Sequence, residues 1–121
     1  MIDMKNVVAF MVFFLMGVVL YAQESNDQAK FVKKGNLIEA TYYHANGNVS
    51  QIGFLKNKKP HGVWKAYDFQ GKKIAQAQYE EGKKEGKWFF WNENKLSEVE
   101  YNDNNIVKVN DYQMTDSYVI N

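Results

Sequence analysis

The sequence predicts an all-β fold, an antiparallel meander of about seven short strands stacked hairpin upon hairpin in one curved sheet. Three observations predict it. The stretch Gly62-Val-Trp-Lys-Ala-Tyr67 returns as Gly86-Lys-Trp-Phe-Phe-Trp91, with the glycine, the tryptophan and the closing aromatic each 24 positions further on. Short runs of β-branched and aromatic residues alternate with turn clusters of Gly, Asn and Asp. After the first 22 residues, no segment keeps a 3.6-residue apolar period over the length of a typical helix.

Residues 1–22 stand apart from this pattern. Lys5 precedes an apolar run from Val7 to Leu20, then Tyr21-Ala22 and the abruptly polar Gln23-Glu24-Ser25-Asn26-Asp27. A basic start, a short apolar stretch and a small residue at the cut describe a secretory signal peptide, with cleavage after Ala22 and export to the periplasm or beyond. An uncleaved N-terminal membrane anchor is the rival, although the run is short against the ~20 apolar residues of a spanning helix. Residues 23–36 are polar and read as a loose leader.

The domain itself is expected over residues 37–112. Leu37 to Tyr43 is the first strand, dense in β-branched and aromatic residues. Asn46-Gly47 supplies positive-φ positions for a hairpin turn, and Val49 to Leu55 returns. Lys56 to Gly62 reads as a wider connection, because Pro60 cannot serve an interior strand. Val63 to Tyr67, the turn Asp68-Phe-Gln-Gly71 and Lys73 to Tyr79 repeat the plan. Glu80 to Gly86 matches the wide connection, Lys87 to Trp91 and Leu96 to Tyr101 form a third hairpin, and Ile106 to Tyr112 a last strand. Residues 113–121 read as a tail.

Alternation along these strands predicts their faces. Aligning Val49–Phe54, Ile74–Tyr79 and Leu96–Tyr101 puts Ile52, Phe54, Ala77, Tyr79, Val99 and Tyr101 on one side. Gln51, Gln76, Gln78, Glu98 and Glu100 fall on the other. In Trp88-Phe-Phe-Trp91, Trp88 and Phe90 point one way and Phe89 and Trp91 the other. A single sheet cannot easily cover both, so most aromatics pack a core and the rest form a surface. Tyr43, Trp64, Tyr67, Trp88 and Trp91 are the candidate binding residues, and Gly47, Gly62, Gly71, Gly82 and Gly86 have structural roles in the turns.

Chemistry is hard to find in this composition. With no cysteine there is no disulfide, thiolate metal site or thiol nucleophile. All fifteen basic residues are lysine, so the guanidinium fork that reads phosphates is missing and no nucleic-acid partner is expected. Charge is uneven: ten lysines face five carboxylates from Lys56 to Lys95, whereas five carboxylates face only Lys108 from Glu98 onward. The lysines read as solvated charges that keep sheet edges from pairing. His44 and His61 sit in loops without a ligand partner at metal spacing, so no metal or cofactor is expected. Glu80, Glu81 and Glu85 lie in a lysine-rich loop and read as solvated charges rather than a catalytic pair. Gly82-Lys-Lys-Glu-Gly86 lacks the gap and the Lys-Ser/Thr end of a phosphate loop.

The pattern Gly-x-Trp-x-x-Tyr, a turn with glycine, a return strand ending in Tyr and a Gly-Lys-x-x-Gly loop resembles the MORN repeat, closest to its bacterial antitoxin-like variant. Gly62-Val-Trp-Lys-Ala-Tyr67 with Gly71, Tyr79 and Gly82-Lys-Lys-Glu-Gly86 carries the best copy, and Gly86-Lys-Trp-Phe-Phe-Trp91 the next. The resemblance spans about residues 36–109 and implies a scaffold or binding surface, not an enzyme. Short exported relatives sometimes bear a nicotinate-mononucleotide adenylyltransferase name. That chemistry looks for a His-x-Gly-His motif in an alternating α/β domain, and Pro60-His61-Gly62-Val63 stands here instead. The expected function is therefore protein interaction or scaffolding in the cell envelope. The alternative is glycan or peptidoglycan binding through exposed aromatics, and an exposed sheet face also suits a homodimer.

Overall fold

The computed structural model describes residues 29–114. Nine strands form one open antiparallel sheet: β1 (Ala29–Lys34), β2 (Leu37–Tyr43), β3 (Val49–Lys56), β4 (Lys59–Tyr67), β5 (Lys73–Glu80), β6 (Lys83–Lys84), β7 (Gly86–Asn92), β8 (Lys95–Asn102) and β9 (Asn105–Gln113). They lie in the order β1-β2-β3-β4-β5-β7-β8-β9, with β6 paired to β5 beside that path. The meander is as expected from the sequence, and no helix occurs among the described residues. The signal segment and residues 115–121 of the tail lie outside them.

Two local expectations are corrected. Residues 29–34 are no loose leader but strand β1, in register with β2 from Ala29↔Tyr42 to Lys34↔Leu37. Phe31 explains the gain, since its ring meets the buried Tyr42 edge-on at 5.9 Å. The connection from Lys56 to Gly62 is not wide either. Lys56 pairs with Lys59 around a two-residue turn in which Asn57 and Lys58 both take positive φ, 51° and 66°. Pro60 then lies inside β4 opposite Leu55, and its carbonyl accepts a hydrogen bond from the Gly82 amide at 2.8 Å. Proline has no N–H to offer the ladder, but its acceptor is used.

The longer loops are the ones at Asn46-Gly47 and Gln70-Gly71. In each, the first amide reaches the carbonyl four residues on: His44 to Asn48 at 2.7 Å and Asp68 to Lys72 at 2.8 Å. Gly47 and Gly71, at φ 90° and 89°, return a hydrogen bond to the same two starting residues. A bulge adjoins both loops, at Tyr42/Tyr43 and at Ala66/Tyr67. The two loops thus have equal length and equal bonding 24 residues apart.

That equality corrects the face assignment of β3. Equal loops align Gly53 with Ala77 and Phe54 with Gln78, so the spacing that equated Phe54 with Tyr79 is one residue out. A slip of one residue turns every side chain to the other face. Ile52 pairs with Thr41 and Lys65, and Phe54 with Glu39 and His61, on the outer face. Gln51, opposite Tyr42 and Ala66, points inward and is 9% exposed.

The inner face is built from flat aromatics over small residues. Tyr42, Trp64, Tyr79, Trp88, Phe90 and Tyr101 are buried together with Ala40, Ala66, Ala75, Ala77 and Val99. Each inner tryptophan is fixed by its indole N–H, which donates to a carbonyl ten residues earlier: Trp64 to Phe54 and Trp88 to Gln78, both at 3.0 Å. Ahead of each, the strand takes two residues more than its neighbour. Residues 61–65 oppose 54–52, and residues 84–89 oppose 79–76. Gly62 and Gly86 lie in that excess at φ 76° and 66°. The glycine of Gly-x-Trp therefore lets the chain swing the indole inward. Trp64 also needs Gly53 beneath it: a Cβ there would sit 2.1 to 2.4 Å from the indole carbons.

Candidate functional site: the outer face of the sheet

Inward packing leaves the opposite residues of the same strands on the outer face. Of the five predicted binding aromatics, Trp64 and Trp88 are core residues at 0% and 1% exposure. Tyr43, Tyr67 and Trp91 occupy the outer face and are half-buried. In the ladder Tyr43 pairs with Val49, and Tyr67 with Lys73. The Lys73 ammonium stands 4.9 Å from the centre of the Trp91 ring. A second row runs across Thr41, Ile52, Lys65, Gln76, Phe89 and Glu98. Phe89 stacks beside Trp91 at 6.1 Å with 29° between the rings. A shallow groove of about 330 Å3 opens beside Tyr67, lined by Asn48, Val49, Ile52 and Gly71.

Two lysines lie within this apolar surface. Lys73 donates to the Gln76 side chain at 3.1 Å, and neither Lys73 nor Lys65 has a carboxylate at ion-pair distance among the described residues. At the C-terminal end of the face, Glu98 is held by Asn110 and Tyr112, each donating to Oε1 at 3.2 Å, and by Lys87 at 3.6 Å. Desolvation raises the Glu98 pKa, but those hydrogen bonds and the lysine outweigh it and leave the carboxyl below its ordinary value. Tyr112 moves up, through desolvation and its bond to Glu98. On the inner face, burial raises Tyr79 and pushes Tyr101 up to about 12.

The remaining candidates serve the scaffold. Gly47, Gly62, Gly71, Gly82 and Gly86 all have positive φ. His44 bonds the Tyr67 carbonyl through Nε2 at 2.8 Å and stacks on Phe69, while His61 Nδ1 accepts from the Glu81 amide. Glu81 pairs with Lys56, and Glu85 accepts from the Asp103 amide at 2.9 Å. No group of three His, Cys, Asp or Glu among the described residues is placed to hold a metal ion.

No family model, no curated protein and no solved structure matches the chain.

Sequence reasoning selected Tyr43, Tyr67 and Trp91 for being aromatic in corresponding places, and passed over Lys65 and Lys73. Lys65 directly follows the core residue Trp64 and so faces the other way, whereas Lys73 reaches the outer face because the bulge at Ala66/Tyr67 sets it opposite Tyr67.

Proposed function

We propose that this protein is a non-enzymatic interaction module, exported to the cell envelope, whose outer sheet face binds an acidic segment of a partner protein. The single observation behind it is the outer face of half-buried Tyr43, Tyr67, Phe89 and Trp91 with Lys65 and Lys73 set among them, neither lysine having an ion-pair carboxylate among the described residues. Apolar surface of this kind favours a partner, and half-buried lysines with no counter-charge among the described residues favour one that brings carboxylates. The MORN-variant reading belongs to the same proposal. Its support is the loop bonding and the indole bonds that recur 24 residues apart.

The test is capture from envelope extract by the full chain. A partner held by wild type and by Lys58→Ala, and lost with Tyr67→Ala/Trp91→Ala and with Lys65→Glu/Lys73→Glu, supports the reading. Repeated capture that ignores these variants sinks it.

A second reading, glycan binding, is favoured by the groove beside Tyr67. Trp64 and Trp88 are sealed in the core, so Trp91 alone of the three tryptophans can report a surface ligand. Cell-wall fragments that leave the emission unchanged remove this alternative.

A further inference from the structure

The sheet is open, and its two ends differ in charge. β1 and β9 each pair on one side only among the described residues. β1 and β2 carry Lys30, Lys33 and Lys34 against Glu39. The β8–β9 hairpin carries Glu98, Glu100, Asp103 and Asp111 against Lys95 and Lys108. Each end also exposes an apolar residue on its edge strand, Phe31 at 44% and Val107 at 56%.

Geometry adds a second constraint. The path through the sheet holds eight strands that alternate in direction. With an even number, a second copy placed in the same orientation sets its β1 antiparallel to β9 of the first. Lengths agree as well. The bulge at Glu100/Tyr101 leaves Val107 as the extra residue of β9, so the regular part of that strand is the six residues 108–113, against six in β1. Faces agree too: Phe31, opposite Ala40, and Val109, opposite Val99, both belong to the inner side. By contrast, pairing β1 with β1 sets lysines against lysines, which is how edges are kept apart.

We propose that copies of this chain associate head to tail, β1 of one on β9 of the next, into a continuous antiparallel sheet. The contact is heterologous, so it propagates unless the twist closes it into a ring. This inference does not depend on the outer face having a ligand, because it uses the edges alone.

The chain has no cysteine, which makes cross-linking clean. Full-length variants with one cysteine on the first edge (Phe31→Cys or Lys33→Cys) are mixed under mild oxidation with variants carrying one on the last (Val109→Cys or Gln113→Cys). These positions share a face, and the four combinations cover neighbouring registers. Disulfide-linked pairs in at least one mixture and in no variant alone are the expected result. Links within single variants, or none in any mixture, overturn the proposal. Sedimentation provides the independent reading. Species larger than the monomer are expected at low salt and lost as the Debye length falls from ~10 Å at 0.1 M to ~3 Å at 1 M. Lys30→Glu/Lys33→Glu removes them at any salt and Lys58→Glu, in a turn, leaves them. A monomer under all conditions, or assembly indifferent to the edge reversal, refutes head-to-tail growth.

Discussion

Replacing Gly53 with alanine adds one methyl group to a protein of 121 residues, and the structure sets what it costs. The new Cβ would lie 2.1 Å from Trp64 Cδ2 and 2.3 Å from Cε2, well inside van der Waals contact. Neither neighbour yields easily. The Cβ is fixed to the β3 backbone, and the indole is fully buried and tied to the Phe54 carbonyl at 3.0 Å. Overpacking a core costs roughly 1–3 kcal/mol, and a weakened indole hydrogen bond up to about 1 kcal/mol more. The gain in strand propensity from removing an interior glycine offsets only roughly 0.5–1 kcal/mol. Gly53→Ala should therefore destabilise by about 1–3 kcal/mol. Urea unfolding followed by tryptophan fluorescence measures it, with an unchanged m-value showing that the midpoint shift is stability. The decisive control is the same substitution in a Trp64→Ala background, where the clashing Cγ, Cδ2 and Cε2 are all gone. There the alanine should be neutral or stabilising, giving a coupling energy of about 2 kcal/mol across the cycle. Equal costs in both backgrounds would refute the claim that the glycine exists for the indole.

Gly62→Ala meets no atom within 4 Å, so its cost comes from φ alone. A loss of about 1–2 kcal/mol is expected, with Gly62→Asn milder because asparagine tolerates that region. Thermal unfolding of the pair checks the order. Because the Glu98 carboxyl is held below its ordinary value, it adds stability above its unfolded pKa, and this is lost as pH falls through the lower folded value. Glu98→Gln should flatten the acid side of the stability profile in urea titrations from neutral pH downward. Tyr101, raised to about 12, and Tyr79, raised further, stabilise fully below pH ~10 and release that stability as pH climbs through their folded values. Absorbance titration should show the buried tyrosines, Tyr42 with Tyr79 and Tyr101, ionising late and together with unfolding, and Tyr101→Phe should move the alkaline midpoint upward.

Most of the strands were legible because each carries a run of β-branched or aromatic residues bounded by a turn. β1 was not, since its six residues include three lysines and its reason for pairing, Phe31 against Tyr42, is a tertiary contact. The turn at Asn57-Lys58 was hidden for a related reason: positive φ falls there on residues other than glycine, as it does at Asp103-Asn104. The slip at Ile52 and Phe54 came from aligning return strands by apolar spacing, whereas the loops set the alignment and their equality appears only in the hydrogen bonds. Within the candidate surface, the opposed directions of Trp88–Phe90 and Phe89–Trp91 could be read from alternation. Which pair lies inside could not, because that depends on the indole reaching the Gln78 carbonyl across the strand.

The loops 44–48 and 68–72 are clasped to each other. Asn46 and Asn48 both donate to the Phe69 carbonyl at 2.7 Å, and the His44 ring lies on Phe69 at 4.2 Å. The third hairpin closes instead through a two-residue turn at Glu93-Asn94, and among the described residues no bond from it reaches Phe69 or its neighbours. The rim therefore has a direction: a unit inserted before it would arrive with amides ready for the next carbonyl, while one added after it would find no clasp to receive it. Growth of such a chain by duplication is physically easier from one side than from the other.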